Sequence, residues 1–564
     1  MAEAAPDAAQ RALETLARRP FPVLLLLCLI AWLPGFFTLP PLDRDESRFA
    51  QASKQMIETG DLVDIRYSTG FRYNKPVGIY WLQSVATKIA GRPPYNRIWT
   101  YRLPSLLGGL IAIFFVYWCG RAFALPPTAL LAAALMAMTL LVNAETRIAT
   151  TDAVQFAAIV GAESALIRFY LAARENRAPP GYPLAIAGWA AIGIGILIKG
   201  PVIVAVLALT IIPLSLWDRE WKWLRATRPL AGVAVVLLIV LPWMIAIAYA
   251  SHGAFYQQSL GHDFAAKVMA GQESHGAPPG YYLVLVSLTL WPATLFLLPG
   301  IRFGILKRKM PAIRFLMVWA AANWIVFEFV PTKLPHYILP VYPALVLLGA
   351  LWATGPKDET FWGRRLRYFA ALQFLVALVA LAAAPIILPQ KFGDGGTQLL
   401  VAGACIGAAV GAAAIVFFLR SSNVTASAFA MASAIVLFAT LAAGAAPHLE
   451  QIWMSPRAAD LVAQARQPGD QATVLAGYVE PSLVFLLGTD TLIDNGETAA
   501  ADAARRGNLA LVEDHERGSF LGGLTRLHAS AQATGELSGF DYSRGKNEHL
   551  TLYRVTPTAT PSPK

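Results

Sequence analysis

FPVLLLLCLIAWLPGFF, residues Phe21 to Phe37, runs uncharged for about the length of a bilayer crossing and is followed at once by Asp43-Arg44-Asp45-Glu46-Ser47-Arg48-Phe49. A spanning helix needs roughly 17 to 25 mostly apolar residues. About thirteen such runs can be drawn along the chain, from this first one to Ala426–Ala445. The acids, bases and aromatics between the first two of them, over residues 42–103, are too dense for a passive connector.

Composition agrees with that reading. The 564 residues are 56% hydrophobic and 14% charged, and the mean hydropathy is +0.50. These values exclude a soluble domain and imply an all-α polytopic membrane protein. The first run lacks a small-residue cleavage pattern and follows Arg11, Arg18 and Arg19, so it reads as a retained span. Arg121, Arg168, Arg174, Arg177, Arg219, Lys222, Arg225, Arg228, Lys307, Arg308, Arg364 and Arg420 fall in alternate loops. Lys and Arg in short loops resist translocation, which places those loops and the N-terminus in the cytoplasm. The net charge of +11 is then a topological signal and an attraction to anionic lipid, with no nucleic-acid partner. Cys28, Cys119 and Cys405 lie inside spans, with no partner at metal-ligand spacing.

The expected organisation is a transmembrane domain over 1–446, a small non-cytoplasmic α/β domain over 447–555 and a disordered tail over 556–564. Within the second domain the pattern predicts a helix at Pro456–Arg466 and strands at Thr473–Ala476, Leu509–Val512 and Leu550–Val555. Asn423-Val424-Thr425 is a glycosylation triplet on the cytoplasmic side, and Gly193–Gly200 lacks phosphate-loop spacing and lies in an apolar helix.

On this topology the polar clusters share one membrane face: 43–80, 145–152, 251–282 and 331–337. Asp45 to Met56 carries apolar residues at helical spacing and stops at Gly60. Asp43 or Asp45 can cap that helix, with Arg48 paired one turn back; alternatively, three acids crowded at one helix start serve a hydroxylic substrate, a metal or a cation. Lys75 precedes Pro76, which pushes its backbone toward an extended form and presents it among Tyr73, Tyr80 and Trp81. Pro331-Thr332-Lys333-Leu334-Pro335-His336-Tyr337 exposes a lysine and a histidine by the same logic. Thr150, Thr151 and Asp152 are cap residues singly and part of a site if the loops converge. His262, Asp263 and His275 give the connection before Tyr282 metal-binding potential.

With Asp45-Glu46-Ser47-Arg48-Phe49-Ala50, Tyr73-Asn74-Lys75-Pro76-Val77-Gly78-Ile79-Tyr80-Trp81 and Lys333-Leu334-Pro335-His336-Tyr337-Ile338-Leu339-Pro340, the chain resembles the aminoarabinose transferase branch of the protein mannosyltransferase superfamily, of C-type glycosyltransferase fold. The resemblance implies an inner-membrane enzyme that moves a sugar from a polyprenyl (undecaprenyl) phosphate carrier to lipid A or another envelope glycolipid. It matches catalysis to Asp45 and Asp152 and phosphate contact to Lys75; Glu46, Arg48, Tyr73, Lys333, His336 and Tyr337 are the further residues expected to contact donor phosphate or substrate. It also implies a divalent ion held by an acid just before the lysine and a later histidine. Here those positions are Asn74 and His275, so the expected metal binding is weak or absent and no cofactor is certain. Protein O-glycosylation is the alternative transfer. A transporter or flippase is the alternative class, for which Glu163 and Glu328 inside spans are the signal; a non-catalytic envelope assembly protein is the third reading.

Overall fold

The computed structural model describes residues 8–259, 277–356, 360–506 and 508–556. His262, Asp263, His275 and nearly all of the expected disordered tail lie outside the described residues. Among the described residues, nine helices are long and apolar enough to cross a membrane. Two bent pairs pass the same test when each is taken as one span, Ala8–Leu16 with Pro20–Trp32 and Tyr281–Thr289 with Ala293–Lys307. The shorter apolar helices Pro126–Ala137 and Val202–Asp218 account for the third and sixth expected runs. Every expected segment is therefore a helix or a bent pair.

Ahead of the first expected span a separate helix, Ala8–Leu16, ends before Arg18, Arg19 and Pro20 and meets Pro20–Trp32 at 104°. Pro20 has no amide hydrogen to donate and its φ suits the first turn of a helix, so a new helix starts there. The centre of the bundle is Asp152–Arg174, the most enclosed of the long helices, packed on Ile98–Gly120, Tyr182–Lys199 and Val202–Asp218. Asn423–His448 closes the bundle.

Residues after Met454 form a five-stranded mixed sheet. From one edge the order is Leu492–Asp494, Val474–Ala476, Leu509–Glu513, Lys546–Thr556 and Ser530–Asp541. The first three are parallel and the last two antiparallel. Three strands and the helix Met454–Ala465 fall where the sequence pattern put them. Leu492–Asp494 is too short to show alternation, and Ser530–Asp541 is polar and largely exposed along its length, so neither carries a readable strand pattern.

This domain sits on the loop after the first span. The helix Asp45–Thr59 packs against Pro481–Leu487. Gln51 Nε2 donates to Thr489 Oγ1 at 2.8 Å, Arg44 Nη2 donates to the Ser543 carbonyl at 2.8 Å, and Tyr101 meets Phe485 edge-on at 5.4 Å. Asp43 takes part too: its amide donates to the Tyr542 hydroxyl at 2.7 Å and its carboxyl accepts from Ser482 Oγ.

Candidate functional site

At Lys199-Gly200-Pro201 an apolar helix ends in a charge, and Gly200 at φ +69° turns the chain directly into Val202–Asp218. That backbone region strains any residue with a Cβ. The turn thereby holds Lys199 and both helices against one cavity of about 560 Å³. The first residue of Asp152–Arg174 faces the same space, and Asp152 is ion-paired with Lys199. Gly78 fixes the loop nearby: a Cβ there would sit 2.7 Å from the Leu197 carbonyl oxygen, so only glycine permits the contact.

The cavity is lopsided. Its head carries Asn74, Lys75, Asp152, Lys199, His336 and Tyr337. Its body runs between Val202–Asp218 and Pro311–Phe329 past Ile159, Val206, Leu209 and Phe327, with no charge. Val204 and Val326, at its wall, are exposed on the outer surface of the bundle.

His336 stands between two acids, its Nδ1 3.6 Å from Glu145 Oε1 and its Nε2 3.6 Å from Asp152 Oδ1. Burial, reinforced by the charge of Asp152, pushes the Glu145 carboxyl well above the usual carboxylate range. Tyr337 offers its ring face to Lys199 Nζ at 5.4 Å. Two cations, an ionised acid and an imidazole thus meet at the top of an apolar channel.

The sequence-predicted residues divide. Lys75, Asp152, His336, Tyr337 and Asn74 line the cavity. Asp45 is 61% exposed and 3.9 Å from Arg48, outside the lining, although its field reaches His336. Glu46 is a correction: it is buried, pairs with Arg102 through two bonds of 2.7 and 2.8 Å, and accepts the amides of Leu42 and Ala149 at 2.8 Å each. Its acceptor capacity is spent on holding the loop to the bundle. Lys333 is another: its ammonium donates to the carbonyls of Glu328 and Val330 at 2.7 Å, closing a helix C-terminus, so it is buried and not presented. Tyr73 is turned away too, donating to Asp64 Oδ1 at 2.8 Å inside the loop. The three acids at the helix start do not form one group. Neither Asp43 nor Asp45 caps it: Arg44 holds the cap position with φ +62° and no side-chain bond.

Sequence reasoning missed Lys199 and Glu145. The signal for the first was a lone charge closing an apolar run before Gly-Pro; Glu145 had a weaker one, an acid at the edge of the third span. The acids that suggested transport have local partners. Glu163 accepts from Thr210 Oγ1 at 2.7 Å, and the Glu328 carboxylate accepts the amides of Tyr282 and Leu283 at the start of a helix.

For the implied divalent ion, Asn74 supplies only a neutral carbonyl, a poorer ligand than a carboxylate, and His275 lies outside the described residues. Glu145, Asp152 and His336 bring ligand atoms within 4.8 Å of one another. Lys199 already supplies a cation to Asp152 in that space.

A sequence profile described as dolichyl-phosphate-mannose-protein mannosyltransferase matches residues 74–245. The chain is 29% identical over 370 residues to an undecaprenyl phosphate-alpha-4-amino-4-deoxy-L-arabinose arabinosyl transferase of Edwardsiella ictaluri, covering 65% of this chain and 64% of that one. It is 28% identical over 402 residues to the protein of that name from Pectobacterium carotovorum, 68% of each. The match thus spans about two thirds of these relatives' length. Among solved structures, ArnT from Cupriavidus metallidurans bound to undecaprenyl phosphate superposes with a TM-score of 0.72 at 19% identity, covering 94% of this chain and 97% of that one. The Archaeoglobus fulgidus oligosaccharyltransferase gives 0.52 at 13% identity, covering 92% and 69%. At such identities these likenesses concern the fold.

Proposed function

We propose that this chain belongs to the aminoarabinose-transferase-like branch of the protein mannosyltransferase superfamily and that it transfers a sugar from undecaprenyl phosphate to lipid A or another envelope glycolipid on the non-cytoplasmic face. The observation that carries the reading is the lopsided cavity: a channel free of charge suits an isoprenoid tail, and Lys75 with Lys199 at its head suits a phosphate.

In the proposed step the bond from the anomeric carbon to the carrier phosphate oxygen breaks, and an acceptor oxygen bonds to that carbon. The electron pair leaves with polyprenyl phosphate, whose growing negative charge Lys75 and Lys199 stabilise in a site with little water. Asp152 holds Lys199 in place. A hydroxyl acceptor loses its proton to a carboxylate, the exposed Asp45 outside the lining or Asp152 within. A phosphate acceptor arrives ionised and needs no base, and Asp45 then orients the acceptor.

The test is incubation of the purified protein with undecaprenyl-phosphate-linked aminoarabinose and lipid A, read by mass spectrometry. Addition of one sugar per acceptor, absent in Asp152→Asn, is the expected result. Unchanged lipid A together with unconsumed donor overturns the reading; consumed donor with a different labelled lipid or protein reassigns the acceptor.

A further inference from the structure

At the other end of the same helices a second cavity, about 230 Å³, has almost wholly apolar walls, including Ala165, Leu166, Gly188, Trp189, Leu207 and Thr227. It is remote from the head of the first, since Asp152–Arg174 begins at that head and the second cavity lies beside the later turns of the helix. Its rim is the short helix Lys222–Thr227 and the start of Pro229–Ala250.

That rim is basic. Arg219, Lys222, Arg225 and Arg228 fall within ten residues, against Asp218 and Glu220. Asp218 is already paired with Arg174 at 3.3 Å and with Arg314, and Glu220 Oε1 accepts the Lys222 amide at 2.7 Å. Arg228 lies between two lining residues, Thr227 and Pro229. Its guanidinium stacks on the Tyr182 ring at 4.9 Å, and its Nε is buried with no acceptor among the described residues. Arg228 as a whole is only half-buried, and a phosphate oxygen is the charge-assisted acceptor a guanidinium favours.

We infer that this is a binding site for an anionic phospholipid, with an acyl segment in the cavity and the headgroup phosphate on Arg225 and Arg228. Basic pockets between spans on the cytoplasmic side are where negatively charged leaflet lipids gain most. The chemistry selects charge, not sugar, and owes nothing to the transfer reaction.

The test uses the full-length protein in neutral detergent, supplied with phosphatidylglycerol or phosphatidylcholine and read by thermal unfolding and native mass spectrometry. The expected result is a Tm several degrees higher with phosphatidylglycerol than with phosphatidylcholine, with one retained phosphatidylglycerol per chain. Arg225→Ala with Arg228→Ala should abolish the difference, and Gly188→Leu, which fills the cavity, should abolish retention of both lipids. The double arginine variant decides even if Gly188→Leu yields no folded protein. Equal Tm with the two lipids, or an undiminished preference in the double variant, overturns the assignment.

Discussion

Lys199 and Asp152 are 47 residues apart in sequence and form the ion pair at the cavity head. Lys199→Met should act twice. It removes a cation from the phosphate position, lowering transfer at least about tenfold, equivalent to about 1.4 kcal/mol of barrier. It also strands a buried carboxylate, which costs on the order of 3 to 5 kcal/mol of stability. Lys199→Arg should recover most of the stability and only part of the activity; full activity in Lys199→Met excludes the lysine from catalysis. Glu46 sets the opposite expectation. With side-chain exposures of 0% for Glu46 and 1% for Arg102, breaking the pair by Glu46→Gln should depress Tm and folded yield while surviving protein keeps its kcat/KM for donor. A large kcat loss at unchanged Tm would return Glu46 to the site. For metal, the neutral Asn74 leads to the expectation that activity largely survives chelation; a stoichiometric ion whose removal abolishes transfer and whose return restores it refutes this.

The contact between Asp45–Thr59 and Pro481–Leu487 carries a pH dependence. Burial, with added repulsion from Glu480 and Asp541, raises the Asp43 carboxyl from 3.8 to about 7, against the hydrogen bond from Ser482. A raised carboxyl pKa means the docked state binds the proton more tightly than the free one. Its stabilisation is therefore complete below about pH 4 and lost as pH rises through about 7. Hydrogen exchange in Pro481–Leu487 should accelerate between pH 5 and 8 beyond its intrinsic pH trend, and Asp43→Asn should flatten that excess. An equal excess in the variant assigns the dependence to another group. The rest of this element was legible: the amphipathic spacing and the Gly60 stop gave the helix within a residue. Its buried polar face was not, because the covering surfaces come from other elements: Ser53 donates to Gln83 Oε1 at 2.7 Å, while Gln51 and Lys54 are covered from more than 400 residues later, as in the Lys54 bond to the Phe485 carbonyl at 3.4 Å.

At the scale of the molecule, the site and the C-terminal domain share one end of the bundle and the Lys222–Thr227 and Lys307–Arg314 connections occupy the other. With the basic loops inside, a cysteine at Asn547 in a Cys405→Ala background should react with a membrane-impermeant reagent on intact spheroplasts, and one at Lys307 only after lysis. The reverse pattern puts the cavity head in the cytoplasm and removes access to a carrier lipid on the outer face. The exposed wall at Val204 and Val326 leads to a second expectation: Val204→Trp, which narrows the charge-free channel from its exposed side, should raise KM for long-chain donor more than for a short-chain analogue, with Tm little changed. Equal effects on both donors separate the channel from the tail.

Apolar run length, the proline and glycine stops and the alternating basic loops determined the spans, their order and the small terminal domain, because bilayer thickness and backbone hydrogen bonding act on a helix one segment at a time. The sequence also marked Lys75, Asp152, His336 and Tyr337, whose loops share one face. It left Glu46 and Lys333 looking like site residues and Lys199 looking like helix. Charge and neighbours in sequence are alike for an acid that meets Arg102 and one that meets a substrate. Only the packing of Asp152–Arg174 against the two helices joined at Gly200 decides which charged groups share a cavity and which cancel one another in the interior.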